Sequence, residues 1–398
     1  MKDISRGLIL PAPIDESGIL YLAPPRTHTL NSIKSLVEGI EDATHNEPVA
    51  GLLAISLSRD LLQQLTELLP TALSQSELQG TRSLVIKSGE SIELADLAAM
   101  QSLATLIAQI RGRWLRDLLR DGRLTSHFQP IVDARAGSSI FAYECLVRGV
   151  DLEGILISPD RMYQAAREAD LLFALDQSAR LTAIRQSAEF GLDAAGIPIF
   201  VNFDPSSIYD PPNCFLSTIV AVSRTVFDPG RIVFEIVDSE RFEDIEHIKR
   251  IVGYYRDAGF LVAIDDVGAG NRPLNLIAEL KPDFIKLSMR LIRGVDRSSH
   301  HAEIVRGLIE FARRLGVQTV AAGIETEEEW AWLRDEGVDY VQGYLFAKPA
   351  HSPSHVRDQS DRWTQSLPQD SRPVLETGPV SRQATVNASI LRSAVGDS

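Results

Sequence analysis

FLVAIDDVGAG (Phe260 to Gly270), followed by PDFIKL (Pro282 to Leu287), decides how this chain folds. Each is a short, nearly continuous apolar run that closes on charged residues: Asp265 with Asp266 in the first, Lys286 in the second. Apolar runs of this length read as strands buried on both faces. Ionic side chains at their ends therefore need a reason.

The same unit recurs on both sides of this pair. Upstream lie HFQPIV (His127 to Val132), FAYECLVRG (Phe141 to Gly149), IPIFVNF (Ile197 to Phe203) and RIVFEIV (Arg231 to Val237). Downstream lie VQTVAAG (Val317 to Gly323) and DYVQGYLF (Asp339 to Phe346). Helix-like stretches such as FEDIEHIKRIVGYYRDAG and HAEIVRGLIEFARRLG separate them. Strand then helix, repeated from about Thr125 to Ala350, predicts an α/β fold with a mostly parallel sheet, and eight strands predict a closed (β/α)₈ barrel. An open doubly wound sheet is the competing architecture, and no GxGxxG opens its first helix.

Successive strands of this barrel end on Glu144, Asn202, Glu235, Asp265 with Asp266, Lys286 and Gln342. Singly, each has a plain reading as a hydrogen-bonded side chain or a turn residue. The repetition on strand after strand carries the argument, because barrel enzymes keep their active sites at the C-terminal ends of the strands. Carboxylates converging on one mouth repel unless cations neutralise them. The pattern reads as an oxygen-rich site for Mg²⁺ or Mn²⁺, with Lys286 and Gln342 available for water or phosphate.

Around the barrel the chain reads more plainly. Residues 1–91 form a small α/β domain, with strand-like LLAISL (Leu52 to Leu57) and a leucine-faced helix running from Arg59 until Pro70 intervenes. This domain shows no phosphate loop or ligand cluster, so packing, dimerisation or a protein partner is its expected use. Residues 92–124 read as one connecting helix, able to pair with its copy in a homodimer, and 351–398 as a flexible polar tail. The net charge of −14 argues against nucleic acid. Cys145 and Cys214, the two cysteines, suit neither a disulfide framework nor a zinc site. No stretch has the apolar length of a membrane span, and the expected location is the cytoplasm.

These residues resemble the EAL domain of cyclic-di-GMP phosphodiesterases across Thr125 to Ala350. FQPIV stands intact as Phe128 to Val132, EALxR appears as Glu144 to Arg148 with Cys145 in place of Ala, and ExxE appears as Glu235 to Asp238. DDFGTG appears as Asp265 to Gly270, followed by Asn271-Arg272-Pro273 instead of Tyr-Ser-Ser. The resemblance implies hydrolysis of cyclic-di-GMP to linear pGpG. It implies one metal on Glu144, Asn202, Glu235 and Asp265, and a second near Asp265 and Asp266. Catalytic roles fall to Lys286, Asp266 and Glu144. Gln129, Leu146, Arg148, Gln342 and Pro349 would grip the dinucleotide, and Asp238 would brace the loop after the fourth strand.

One position departs from that pattern. Where the family has AEGVET, this chain has Ala321-Ala322-Gly323-Ile324-Glu325-Thr326, so the acid associated with the second metal and the attacking water is Ala322. Glu325 is that motif's own second acid, three residues displaced. Three functions follow: an active phosphodiesterase, a binding or interaction module with impaired hydrolysis, or unrelated Schiff-base chemistry at Lys286. The missing acid favours the second. A ring of carboxylates raises the pKa of a lysine and opposes the third.

Overall fold

The computed structural model describes residues 10, 17–90, 92–98, 100–137, 139–208, 211–237, 244–269 and 273–353. Asp238, Asn271, Arg272 and all but the first three residues of the 351–398 tail lie outside them. The chain divides into two compact units, one of residues 1–123 with 149–175, the other of 124–148 with 176–398.

The first unit is built on a five-stranded sheet in the order β2-β3-β1-β4-β5. β1 (Gly18–Ala23) lies antiparallel between β3 (Leu52–Leu57) and β4 (Arg82–Ile86), with β2 (His45–Val49) and β5 (Gln101–Ser102) outside them. Strand alternation turns Leu20 and Leu22 to one face, where Ile33, Val37, Leu61, Leu65 and Leu69 of two helices join them in the core.

Pro70 does not end the helix that it was expected to stop: the helix runs Arg59–Ala72. A proline there lacks the N–H that would bond the carbonyl of Thr66. Arg111 Nη2 supplies the missing donor, 2.7 Å from Thr66 O. The expected single helix over 92–124 is also broken, into helices Leu94–Ala98, Leu103–Arg111 and Arg113–Arg120, with β5 between the first two. Leu103, Leu106 and Ile107 enter the core of this unit, which is why the stretch folds onto the sheet. Gly112 forms the joint between the last two helices, where a Cβ would stand 2.8 Å from Ala169 Cβ.

The second unit is an eight-stranded closed barrel. In order round the wall it consists of β6 (Leu124–Asp133), β14 (Tyr340–Gln342), β13 (Gln318–Ala322), β12 (Phe284–Leu287), β11 (Leu261–Val267), β10 (Ile232–Ile236), β9 (Ile199–Phe203) and β7 (Ile140–Val150). β6 pairs with β7 to close it, and the short β8 (Leu156–Ile157) hangs from β7. Strands β7 and β9 to β14 are parallel, but β6 runs antiparallel to β14. The short link between β6 and β7 permits only a hairpin. Asp133 shapes that turn by accepting the N–H groups of Arg135 and Ala136 at 2.8 and 2.9 Å.

Seven strands each place one residue in an inner apolar layer: Ile131, Ala142, Phe200, Val233, Ala263, Phe284 and Val320. Tyr340 of β14 packs against it. Such a layer fills a barrel of this size with side chains and leaves no pore.

Candidate functional site

Side chains on a strand return to the same face every second residue. Two positions beyond the apolar layer come Glu144, Asn202, Glu235, Asp265, Lys286, Ala322 and Gln342. On antiparallel β6 the matching step runs backwards, from Ile131 to Gln129. The polar residues of the sequence are thus one layer of the barrel. Glu144 is accordingly mid-strand in β7 and not at a strand end.

The contacts within the layer are short. Lys286 Nζ lies 2.9 Å from Glu144 Oε2 and 2.9 Å from Glu235 Oε1. Gln342 Nε2 donates to Glu144 Oε2 at 2.6 Å and to Gln129 Oε1 at 3.3 Å, and Asn202 Nδ2 lies 3.4 Å from Glu144 Oε1. Glu235 is fully buried, and neither oxygen receives an aligned hydrogen bond despite the Lys286 ion pair.

Between β11 and β12 the register shifts: Ile264 pairs with Ile285 and Val267 with Leu287, so Asp265 and Asp266 together oppose Lys286. This is a β-bulge, which bends a strand and re-aims its side chains. Asp266 takes the left-handed conformation at φ 54°, one that Asp tolerates better than most residues. It is exposed, while its N–H donates to Asp265 Oδ1 at 2.7 Å.

Three carboxylates share one ammonium. Burial pushes the Glu235 carboxyl well above its ordinary range, and the charges of Asp265 and Glu144 add to this against the pull of Lys286. Burial, with the Glu144 and Asp266 charges, also raises Asp265. For Glu144, burial is outweighed by Lys286, Gln342 and Asn202, and its carboxyl is lowered. Burial alone would depress Lys286, but Glu144, Glu235 and Asp265 together hold it well above its ordinary value. A lysine held protonated is no Schiff-base nucleophile.

Among the described residues, no three His, Cys, Asp or Glu side chains already converge as a metal-ligating group. The chemistry of the donors nevertheless fits a hard divalent cation. Glu235 brings two buried oxygens, Oε1 beside the Lys286 ammonium and Oε2 without a donor, and Glu144, Asn202 and Asp265 bring further oxygens from the same layer.

Ala322 pairs in register with Gln342 and puts a methyl group into this layer. Glu325 is engaged elsewhere: Arg293 Nη2 donates to its Oε1 at 2.8 Å and Arg293 Nη1 contacts its other oxygen. Gln129 is tied to Gln342 and donates to Ala347 O at 3.1 Å. Leu146, Arg148 and Pro349 are half-buried. Arg148 Nη1 donates to Val147 O at 2.8 Å.

Two residues were not singled out by sequence. Burial lowers the pKa of His127, as do the neighbouring charges of Arg148 and His351. Tyr344, two residues past Gln342, is 56% exposed, with Lys348 Nζ 5.3 Å from its ring. An aromatic residue following a strand-end amide was the available signal.

A family model described as the EAL domain matches residues 112–349. An EAL protein from Vibrio cholerae O395, solved in a c-di-GMP bound form, is 39% identical, with a TM-score of 0.52 over 57% of this chain and 93% of that one. The blue light- and temperature-regulated antirepressor BluF of Escherichia coli is 28% identical over 221 residues, 56% of this chain and 53% of its own length. The probable cyclic di-GMP phosphodiesterase PdeG of Escherichia coli is 28% identical over 236 residues, 59% and 46% of the two chains. The present chain therefore spans about half the length of these two curated relatives. It belongs to the EAL domain family.

Proposed function

We propose that this EAL-family chain acts in cyclic-di-GMP signalling, binding cyclic-di-GMP at the polar layer of its barrel with hydrolysis to pGpG impaired or lost. Ala322 carries the reading. In a layer where the other strands present an amide, a carboxylate or an ammonium, β13 presents a methyl group, and Glu325 is engaged by Arg293. The bound ligand of the Vibrio cholerae protein supports the choice of dinucleotide.

Glu144, Asn202, Glu235 and Asp265 would hold one Mg²⁺ or Mn²⁺. Such an ion, when bound, polarises a phosphoryl oxygen and makes a bound water more acidic. Lys286, held protonated by its carboxylate neighbours, offsets negative charge on a phosphate. Gln342 fixes the Glu144 carboxylate in place, and the exposed Tyr344 ring offers a face on which a purine stacks. Arg148, Leu146 and Pro349 complete the proposed dinucleotide contacts. Asp238 keeps its proposed role in bracing the following loop. A homodimer, a cytoplasmic location and a protein partner on the N-terminal unit complete the proposal.

An active phosphodiesterase is the second reading, favoured by the intact set of Glu144, Glu235, Asp265 and Lys286 and by the name of PdeG. A pure interaction module is the third, in line with the antirepressor name of BluF. One experiment separates them: purified chain with cyclic-di-GMP and Mg²⁺ or Mn²⁺, following binding by calorimetry and pGpG by chromatography. Binding without product is expected. Brisk product formation overturns the impairment, and absence of both leaves the interaction module.

A further inference from the structure

Gln129 enters the polar layer from β6, the strand that runs antiparallel to its neighbour β14. Its side chain is buried, and the protein itself engages both ends of the amide. Nε2 donates to Ala347 O at 3.1 Å, while Oε1 accepts from Gln342 Nε2 at 3.3 Å. Gln342 Nε2 also donates to Glu144 Oε2 at 2.6 Å. A backbone carbonyl, two amides and a carboxylate thus form one hydrogen-bonded chain across the layer.

The direction of that chain is fixed from its two ends. A carbonyl only accepts, so Ala347 O requires the nitrogen of Gln129, which turns the Gln129 oxygen towards Gln342. An ionised carboxylate also only accepts, so Glu144 requires the nitrogen of Gln342. Both protons of that nitrogen are then in use, one on Gln129 and one on Glu144. The starting point is itself held: Ala347 is buried and its N–H donates to Gly343 O at 3.2 Å. Ala350 exchanges two backbone hydrogen bonds with Phe128, the residue before Gln129, at 2.7 and 3.1 Å. At the far end Glu144 Oε2 also meets Lys286 Nζ at 2.9 Å, whereas Oε1 has Asn202 Nδ2 at 3.4 Å. One oxygen of Glu144 is pinned by two short contacts, and the other is met only at the longer distance.

We propose that Gln129 is a positioning residue for the metal site. Anchored on Ala347 O, it orients the Gln342 amide, which holds Glu144 Oε2 and leaves Oε1 for a divalent ion. This rests on the reading of Glu144 as a metal ligand, and it gives Gln129 a role other than the dinucleotide grip that the family resemblance implies. Groups that orient a metal ligand from behind are typically worth about 10–100-fold in metal affinity.

The test is calorimetric titration of the full chain with Mn²⁺ alone, so that contacts to a dinucleotide play no part. Gln129→Met keeps the bulk, removes both hydrogen bonds, and should weaken Mn²⁺ about tenfold or more. Gln129→Asn keeps the amide but is one methylene short of spanning Ala347 and Gln342. It should weaken Mn²⁺ likewise, and covers the case in which Gln129→Met fails to fold. Gln129→Glu keeps an acceptor for Gln342 and should bind Mn²⁺ close to the affinity of the unmodified chain. Because the two amides act in series, Gln129→Met/Gln342→Met should bind no more weakly than Gln342→Met. Unchanged affinity in Gln129→Met and Gln129→Asn, beside intact binding by the unmodified chain, overturns the positioning role alone. Gln129→Glu as weak as Gln129→Met reduces the role to packing, and additive losses in the double variant place Gln129 outside the chain to Glu144; either overturns the proposal. Absence of Mn²⁺ binding by the unmodified chain rejects the metal reading itself, and the positioning role with it.

Discussion

Arg293 grips Glu325 through both carboxylate oxygens, one of them at 2.8 Å from Nη2. The acid three residues past Ala322 is thereby bound to a guanidinium outside the ring of Glu144, Glu235 and Asp265. If the missing carboxylate limits hydrolysis, Ala322→Glu should create or raise pGpG production. A positioned acid or base contributes typically ~10²–10⁴-fold. The gain should fall short of this range if the altered loop after Asp266 is a second lesion. Glu325→Gln should leave turnover where it was. Chromatography of pGpG decides, and a fall in Ala322→Glu would reject the impaired-enzyme reading.

Manganese binding should depend on Glu235, whose buried Oε2 has no donor. Titration of the unmodified chain should show one strong site, and Glu235→Ala should abolish it. Two equally tight sites in the unmodified chain would show that Ala322 is not a defect in metal binding.

Arg111 and Pro70 should be coupled in stability. Removing the donor by Arg111→Met leaves Thr66 O without its partner, at a cost of about 1–3 kcal/mol. Pro70→Ala restores an N–H at the position that helix geometry assigns to that carbonyl. The penalty of Arg111→Met should therefore be smaller in the Pro70→Ala background, read from urea unfolding of all four proteins. Equal penalties in the two backgrounds would show that Arg111 acts otherwise.

Glu77 should make the N-terminal unit sensitive to acid. Hydrogen bonds from the Ser74 side chain and backbone and from Thr29 lower its carboxyl from 4.5 to about 2. A carboxyl lowered in the folded state stabilises above its unfolded pKa, and that stability is lost as pH falls towards the folded value. Glu77→Gln should lower Tm at pH 7 and flatten part of its decline between pH ~5 and pH ~2. A parallel decline in both proteins would remove Glu77 from the account.

Sequence alone determined the barrel and six members of its polar layer, Glu144, Asn202, Glu235, Asp265, Lys286 and Gln342. Burial on both faces makes strands read as apolar runs, so charged residues at a strand-to-strand interval are conspicuous in one dimension. The loss at Ala322 was legible only against the motif of the family that the chain resembles, since an alanine in an apolar run is inconspicuous by itself. Tertiary structure alone decided what those residues do to one another. The bulge that sets both Asp265 and Asp266 against Lys286 depends on pairing with β12, and no local signal marks which residue of a strand goes unpaired. The antiparallel course of β6 follows from a hairpin closing the barrel, and the single helix expected over 92–124 broke because its leucines had a nearby core to enter. Arg293 with Glu325, and Arg111 with Thr66, join residues 32 and 45 positions apart. Contacts at such separations arise from packing, which a periodic pattern does not encode.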